Sequence, residues 1–215
     1  MKRKGLIKTL LLLVLVTLIL SFSLSSCERN RSYDEEEVKT AAEELLRKVG
    51  ALNTIYFGGG INYLSERAGE GSYCEADPIH LSALGFNSIT ELELLTLEVF
   101  SDGCADNIFR TKLEPITVDG QIVELARYYQ AYDIVTGDET VIMVNKNMKK
   151  VFDDRMVFDY STLTVIGSEG ERVILEIDVT VKNDDGLTKT QKEKVILIEE
   201  NDGWRIDNFV IANYR

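Results

Sequence analysis

Apolar residues fall along this 215-residue chain in three successive patterns. The first is an unbroken run from Leu10 to Leu20, interrupted only by Thr17, behind a basic head of Lys2, Arg3, Lys4 and Lys8. The second begins after Asp34. There Val38, Ala41, Ala42, Leu45, Leu46, Val49 and Leu52 recur at spacings of three and four, which predicts one buried stripe on a long helix. Its first turn, Asp34 to Glu37, is acidic, as the positive end of a helix dipole favours. The third pattern has a period of two and occupies the chain after Ile116.

Between these regimes the spacing predicts smaller elements. Ser88-Ile89-Thr90-Glu91 has the form of a capping box opening a second helix. Leu92, Leu95, Val99 and Phe100 form its buried stripe and Ser101-Asp102-Gly103 its end. A shorter helix follows, Ala105 to Lys112, with Ile108 and Phe109 inward and Pro115 as its stop. Ile116-Thr117-Val118, Asp119-Gly120 and Gln121 to Leu125 read as a hairpin, because Asp-Gly suits a primed turn. Thr140 to Val144 carries a weak strand signal. Four strand-length runs come last: Met156 to Ile166, Arg172 to Val181, Thr188 to Ile198 and Trp204 to Ile211. The second is the clearest, with Val173, Leu175, Ile177, Val179 and Val181 on one side and Glu176, Asp178, Thr180 and Lys182 on the other, a half-buried antiparallel strand.

Helices first and a meander afterwards define an α+β class, with the N-terminal helices packed on one face of a curved antiparallel sheet. The domain spans residues 34–215, with an irregular, insertion-like region at about 54–150. Within it, Phe57-Gly58-Gly59-Gly60 has neither the Lys-Ser/Thr nor the strand-to-helix context of a phosphate loop, so its glycines read as a bend made close to another backbone. Tyr56, Phe57, Tyr63 and Tyr73, with Trp204 from the last strand, are the candidates for an interface or pocket; such aromatics equally suit a core.

The leader changes the picture more than any later segment. A basic head, a short apolar run and small residues are the parts of a secretory signal. Residues 1–26 are the expected signal peptide. Leu24-Ser25-Ser26-Cys27 resembles a bacterial lipobox, which implies lipid attachment at Cys27 and a location on the extracytoplasmic face of a cell membrane. Residues 27–33 would be the lipidated cysteine and a tether, whose six residues after the cysteine reach at most about 20 Å.

Charge and cysteine content narrow the function. The chain carries 24 Lys and Arg against 36 Asp and Glu, a net of −12. Without the leader's four basic residues, 20 remain against 36, a net of −16. Such a surface disfavours nucleic acid, whose phosphates need a basic footprint, and favours a basic partner. Contact with the membrane should come from the lipid alone. With Cys27 acylated, Cys74 and Cys104 remain. A bridge between them would close a loop of about 30 residues, worth roughly 3–4 kcal/mol in the chain-entropy model; two buried free thiols are the other outcome.

Catalytic candidates are sparse. His80 is the only histidine, no nucleophile elbow is present, and the spacing offers no metal-ligand cluster. The doublets Asp153-Asp154 and Asp184-Asp185 read as solvated turns. Asp159 and Asp178 lie on strands whose sidedness the sequence leaves open. The expectation is a protein that is not an enzyme and needs no cofactor and no metal.

Glu200-Asn201-Asp202-Gly203-Trp204-Arg205-Ile206-Asp207 resembles the closing hairpin of the cystatin-like, nuclear-transport-factor-2-like cone fold, in which the tryptophan packs back onto the helices. More narrowly, Gly58-Gly59-Gly60, Leu97 to Ser101 and Gly203 to Ile206, in that order, look like the secreted inhibitors of cell-wall DL-endopeptidases of Gram-positive bacteria. The resemblance implies a non-catalytic domain that modulates a cell-wall hydrolase. A small-molecule carrier or sensor using the cone pocket is the other expectation.

Overall fold

The structure is a computed structural model, describing residues 33–69, 71–132, 140–147, 156–182, 186–200 and 203–209. The expected signal peptide, Cys27 and the expected tether as far as residue 32, together with both aspartate doublets, lie outside the described residues.

Helix α1 (Glu35–Tyr56) begins where Asp34 Oδ1 accepts the Glu36 amide at 3.0 Å, and Glu35, Glu36 and Glu37 fill its first turn. Val38, Ala42, Leu45, Leu46, Val49 and Leu52 are buried along one stripe, and the helix runs on to take Ile55 and Tyr56 into the core. Helix α2 (Pro78–Leu84) is capped by Asp77 and ends at Gly85, whose φ of 85° is left-handed. Helix α3 (Ile89–Leu97) is capped by Ser88, which accepts the Glu91 amide at 3.1 Å. The returning Glu91 carboxylate takes the Asn87 amide at 2.6 Å, one residue earlier than a standard capping box. Ser101-Asp102-Gly103, expected to close α3, instead opens helix α4 (Asp102–Lys112), because Ser101 Oγ accepts the Cys104 amide.

The strands form two four-stranded antiparallel sheets and one isolated hairpin. One sheet joins β1 (Tyr63–Ala68), β2 (Tyr73–Ala76), β6 (Thr140–Asn145) and β5 (Tyr128–Tyr132), in that spatial order. The segment read as irregular is thus largely regular. Its strands are short, broken by Gly69 and Gly71, and β2 pairs with β6 some seventy residues away, so no local period announces them. The hairpin of β3 (Ile116–Val118) and β4 (Gln121–Glu124) turns at Asp119 and Gly120, both at positive φ (51° and 77°), as a type I′ turn requires.

The second sheet is a meander of β7 (Met156–Glu169), β8 (Arg172–Lys182), β9 (Thr188–Glu200) and β10 (Gly203–Ile206). Along β8 the five alternate apolar residues are buried, together with Val195 and Leu197 of β9. Helix α1 contacts this sheet chiefly through its two edge strands, β7 and β10, so the sheet curls around the helix. Tyr128, Ile142 and Val144 of the first sheet belong to the same buried cluster, so both sheets share one core with α1.

The last strand is shorter than its sequence pattern. β10 ends at Ile206, with residues 210–211 of the expected run outside the described residues. The Asp207 amide still donates to the Ile196 carbonyl at 2.7 Å, and the Asn208 side chain then takes over, its Oδ1 accepting the Ile196 amide at 2.7 Å and its Nδ2 donating to the Lys194 carbonyl at 2.9 Å. At the same corner a parallel bridge joins Phe100 to Ile206. Asp207 accepts from Ser101 Oγ and from Arg172 Nε, both at 2.5 Å, which ties the α3–α4 junction to the second sheet.

Candidate functional site

The chemistry-bearing residues singled out from sequence are largely structural. Tyr56 is buried in the core, its hydroxyl bonded to Thr96 Oγ1 at 2.8 Å, and burial pushes its phenol well above the usual range. Phe57 stacks edge-on against Phe209 and lies under the Lys112 ammonium. Trp204 packs edge-on against Tyr33, just ahead of α1, and Tyr63 is exposed on edge strand β1. Of the five aromatic candidates, Tyr73 borders an open groove. His80 lies on α2, not in a loop, and its Nδ1 accepts the Asn62 amide at 2.8 Å, a structural use of the ring.

Cys74 on β2 and Cys104 on α4 are both buried free thiols, so the bridge considered from sequence is not formed. Cys104 is pushed up to about 12 by burial, with the neighbouring Asp207 carboxylate adding to the effect. Asp178 alternates with buried Ile177 and Val179, and Asp159 pairs opposite it, which puts both carboxylates on the outer face of the second sheet. Among the described residues, no group of three or more His, Cys, Asp or Glu is placed to hold a metal, and no helix is long and apolar enough to cross a membrane.

The triple glycine wraps around a buried polar hub. Tyr128 Oη donates to the Ile55 carbonyl at 2.6 Å and accepts from the Ile61 amide at 3.1 Å and from Arg127 Nε at 3.0 Å. Arg127 Nη2 donates to the Gly58 carbonyl at 2.5 Å, placing a guanidinium at the C-terminal, electronegative end of α1. A Cβ on Gly60, whose φ is 78°, would lie 2.7 Å from Tyr128 Oη and 2.8 Å from Arg127 Nη2. The glycine is therefore required by a close approach of side chains, in a loop that binds the chain's own arginine.

An open groove of about 490 Å³ lies on the outer side of the first sheet. Its floor is Tyr73 and Tyr129, packed edge to face with ring centroids 4.6 Å apart. Tyr73 Oη is held by the Ala126 carbonyl at 2.8 Å, which fixes the ring. The turn at Gly71-Ser72 forms one wall; Leu113, Pro115, Ile122 and Leu125 form the other, bringing in the hairpin. Val118, Ile122 and Val123 are each more than half exposed, and every residue of β4 is exposed. Neighbouring strand residues point to opposite faces, so Ile122 shares one face with Thr117 and Glu124 while Val123 shares the other with Val118 and Gln121, and each face presents an exposed apolar side chain. That adjacent pair was the readable signal: two large apolar residues side by side on an exposed strand put one on each face. On the same face of β2 as Tyr73, the buried Glu75 takes Arg67 through Oε1 at 2.7 Å and leaves Oε2 unpartnered.

Compared with known proteins, the chain matches no family model, no curated protein and no solved structure.

Proposed function

We propose that the protein is a non-catalytic lipoprotein, anchored through Cys27 to the extracytoplasmic face of a cell membrane, whose domain binds another protein and modulates a cell-wall hydrolase. The observation that carries this reading is the hairpin and groove. Val118, Ile122, Val123 and Leu125 are solvent-exposed beside a built aromatic floor, and contiguous exposed apolar surface of this kind marks interaction sites. The net charge of −12 supports a basic partner, whose approach it would accelerate. The β7–β10 meander curled on α1, with Trp204 against Tyr33, supports the cystatin-like cone as the underlying fold. The sheet of β1, β2, β6 and β5 is then an addition to it.

The test is capture of purified cell-wall hydrolases by the domain of residues 33–215, a compact unit with its own core. Binding at low salt that weakens at high salt is expected; no binding at low salt sinks the reading. A Cys27→Ala change should leave the protein unacylated. Normal acylation of that variant would overturn the anchor.

A second reading, a carrier or sensor of an apolar small molecule, is favoured by the groove's volume, which lies in the range of ligand pockets. The interior beneath α1 is occupied by Leu175, Ile177, Val179, Val195 and Leu197, so a carrier would use the outer groove rather than a cone pocket.

A further inference from the structure

The geometry points to the β3–β4 hairpin as the seat of an extended, basic strand contributed by the partner, joined by backbone pairing to the hairpin's unpaired edge. This rests on the protein-binding reading above and names the chemistry of what is bound. Among the described residues β3 and β4 pair with each other alone, so each keeps an outer edge whose amide and carbonyl groups no other described strand uses. A two-stranded hairpin is marginal in water unless something packs on it, and here each face carries an exposed apolar side chain, Ile122 on one and Val118 with Val123 on the other. An added strand satisfies both deficits: its backbone completes the ladder, and its alternate side chains can enter the groove over Tyr73 and Tyr129.

Charge decides between the occupants of such an edge. From Leu113 to Ala126 the chain carries Glu114, Asp119 and Glu124 and no basic residue. All three carboxylates are exposed. Of the two flanking cations, Arg127 is buried in the Gly58 cradle, and the half-buried Lys112 lies over the Phe57 ring, its ammonium's pKa lowered by burial against the opposing pull of Glu124, which leaves Glu114 and Asp119 as the carboxylates farthest from a cation of this segment. A second copy of this chain would bring the same carboxylates against their own kind, which is unfavourable across a strand pair. Lys or Arg on alternate positions of an incoming strand would meet them favourably.

The experiment uses the full chain in detergent micelles and three labelled octapeptides: alternating Val-Lys, alternating Val-Glu, and Val-Lys with a central proline that blocks ladder formation. Fluorescence anisotropy should show binding of the first alone, weakening at least tenfold from low to high salt. Ile122→Ser should weaken it at least tenfold without altering the thermal melt. So should the combined Glu114→Gln, Asp119→Asn and Glu124→Gln change. Equal binding of the Val-Lys and Val-Glu peptides overturns the inference. Undiminished binding of the proline peptide, or a concentration-dependent dimer abolished by Ile122→Ser, does so equally. If a hydrolase is still captured and Ile122→Ser abolishes that capture while no peptide is selected, strand addition fails and the protein-binding reading stands. If no hydrolase is captured yet the Val-Lys peptide binds as described, strand addition stands and the hydrolase assignment falls.

Discussion

Strands β8 and β4 each sit in an antiparallel hairpin, yet their apolar side chains meet opposite fates. In β8, Val173, Leu175, Ile177, Val179 and Val181 are buried on the α1 side, while Ile174, Glu176, Asp178 and Thr180 remain partly open to solvent on the other. In β4, Ile122 and Val123 point to opposite faces and neither is covered. A single apolar face can be satisfied by one helix; the apolar side chains on the two faces of the hairpin meet no such cover among the described residues. The comparison separates residues that build the protein from residues it presents outward.

The contrast can be broken most severely from the β8 side. Leu175→Ala, at a fully buried position, is expected to cost about 3–4 kcal/mol of stability in a urea melt. A loss under about 1 kcal/mol would mean the sheet is less tightly packed on α1 than its burial indicates. Gly60→Ala forces a Cβ into a left-handed backbone and against Tyr128 and Arg127, with an expected cost of about 2–3 kcal/mol by the same measurement. Gly59→Ala, with open space around its position, provides the control.

Alkaline titration probes the same interior. Burial raises the Cys104 thiol, which makes its ionisation in the folded state harder than in the unfolded state. Below the unfolded thiol's pKa, near 9, both states are protonated and this group adds no pH dependence. Between there and about 12 the unfolded state alone releases the proton, so stability falls as pH rises. Tyr56 and Tyr128, raised chiefly by burial, push in the same direction. Tyrosinate absorbance of these two residues should appear together with loss of circular dichroism. Their ionisation in a still-folded protein would contradict the tight core. The smallest effect belongs to β4. Val123→Ser should change stability by no more than about 0.5 kcal/mol, as an exposed side chain with no packing to lose. A larger loss would show that the hairpin already has a cover.

Much of this fold was legible because its elements are locally self-consistent. The stripe from Val38 to Leu52, the Asp-Gly turn and the alternation of β8 each carry their full signal within fifteen consecutive residues or fewer. The first sheet was not legible for the opposite reason. β1 and β2 are short and glycine-broken, and Cys74 finds its strand partner in Val144 across seventy residues. The site was half legible. Tyr73 stood out as an aromatic in a glycine-rich segment, but its partner Tyr129 is brought to it only by the intervening β6. The triple glycine was readable as a bend near another backbone, but what approaches Gly60 is a pair of side chains, Tyr128 and Arg127, which nothing nearby in sequence marks.

The corner where Asp207 and Asn208 grip Ser101, Arg172 and β9 also bears on the order in which the chain is finished. These contacts join a junction near position 100 to residues emerging more than a hundred positions later. In a chain made from its N-terminus, α3 and α4 emerge long before the segment that fastens them. Their junction stays unlatched until the final strand is in place, so this corner closes in one late step of assembly.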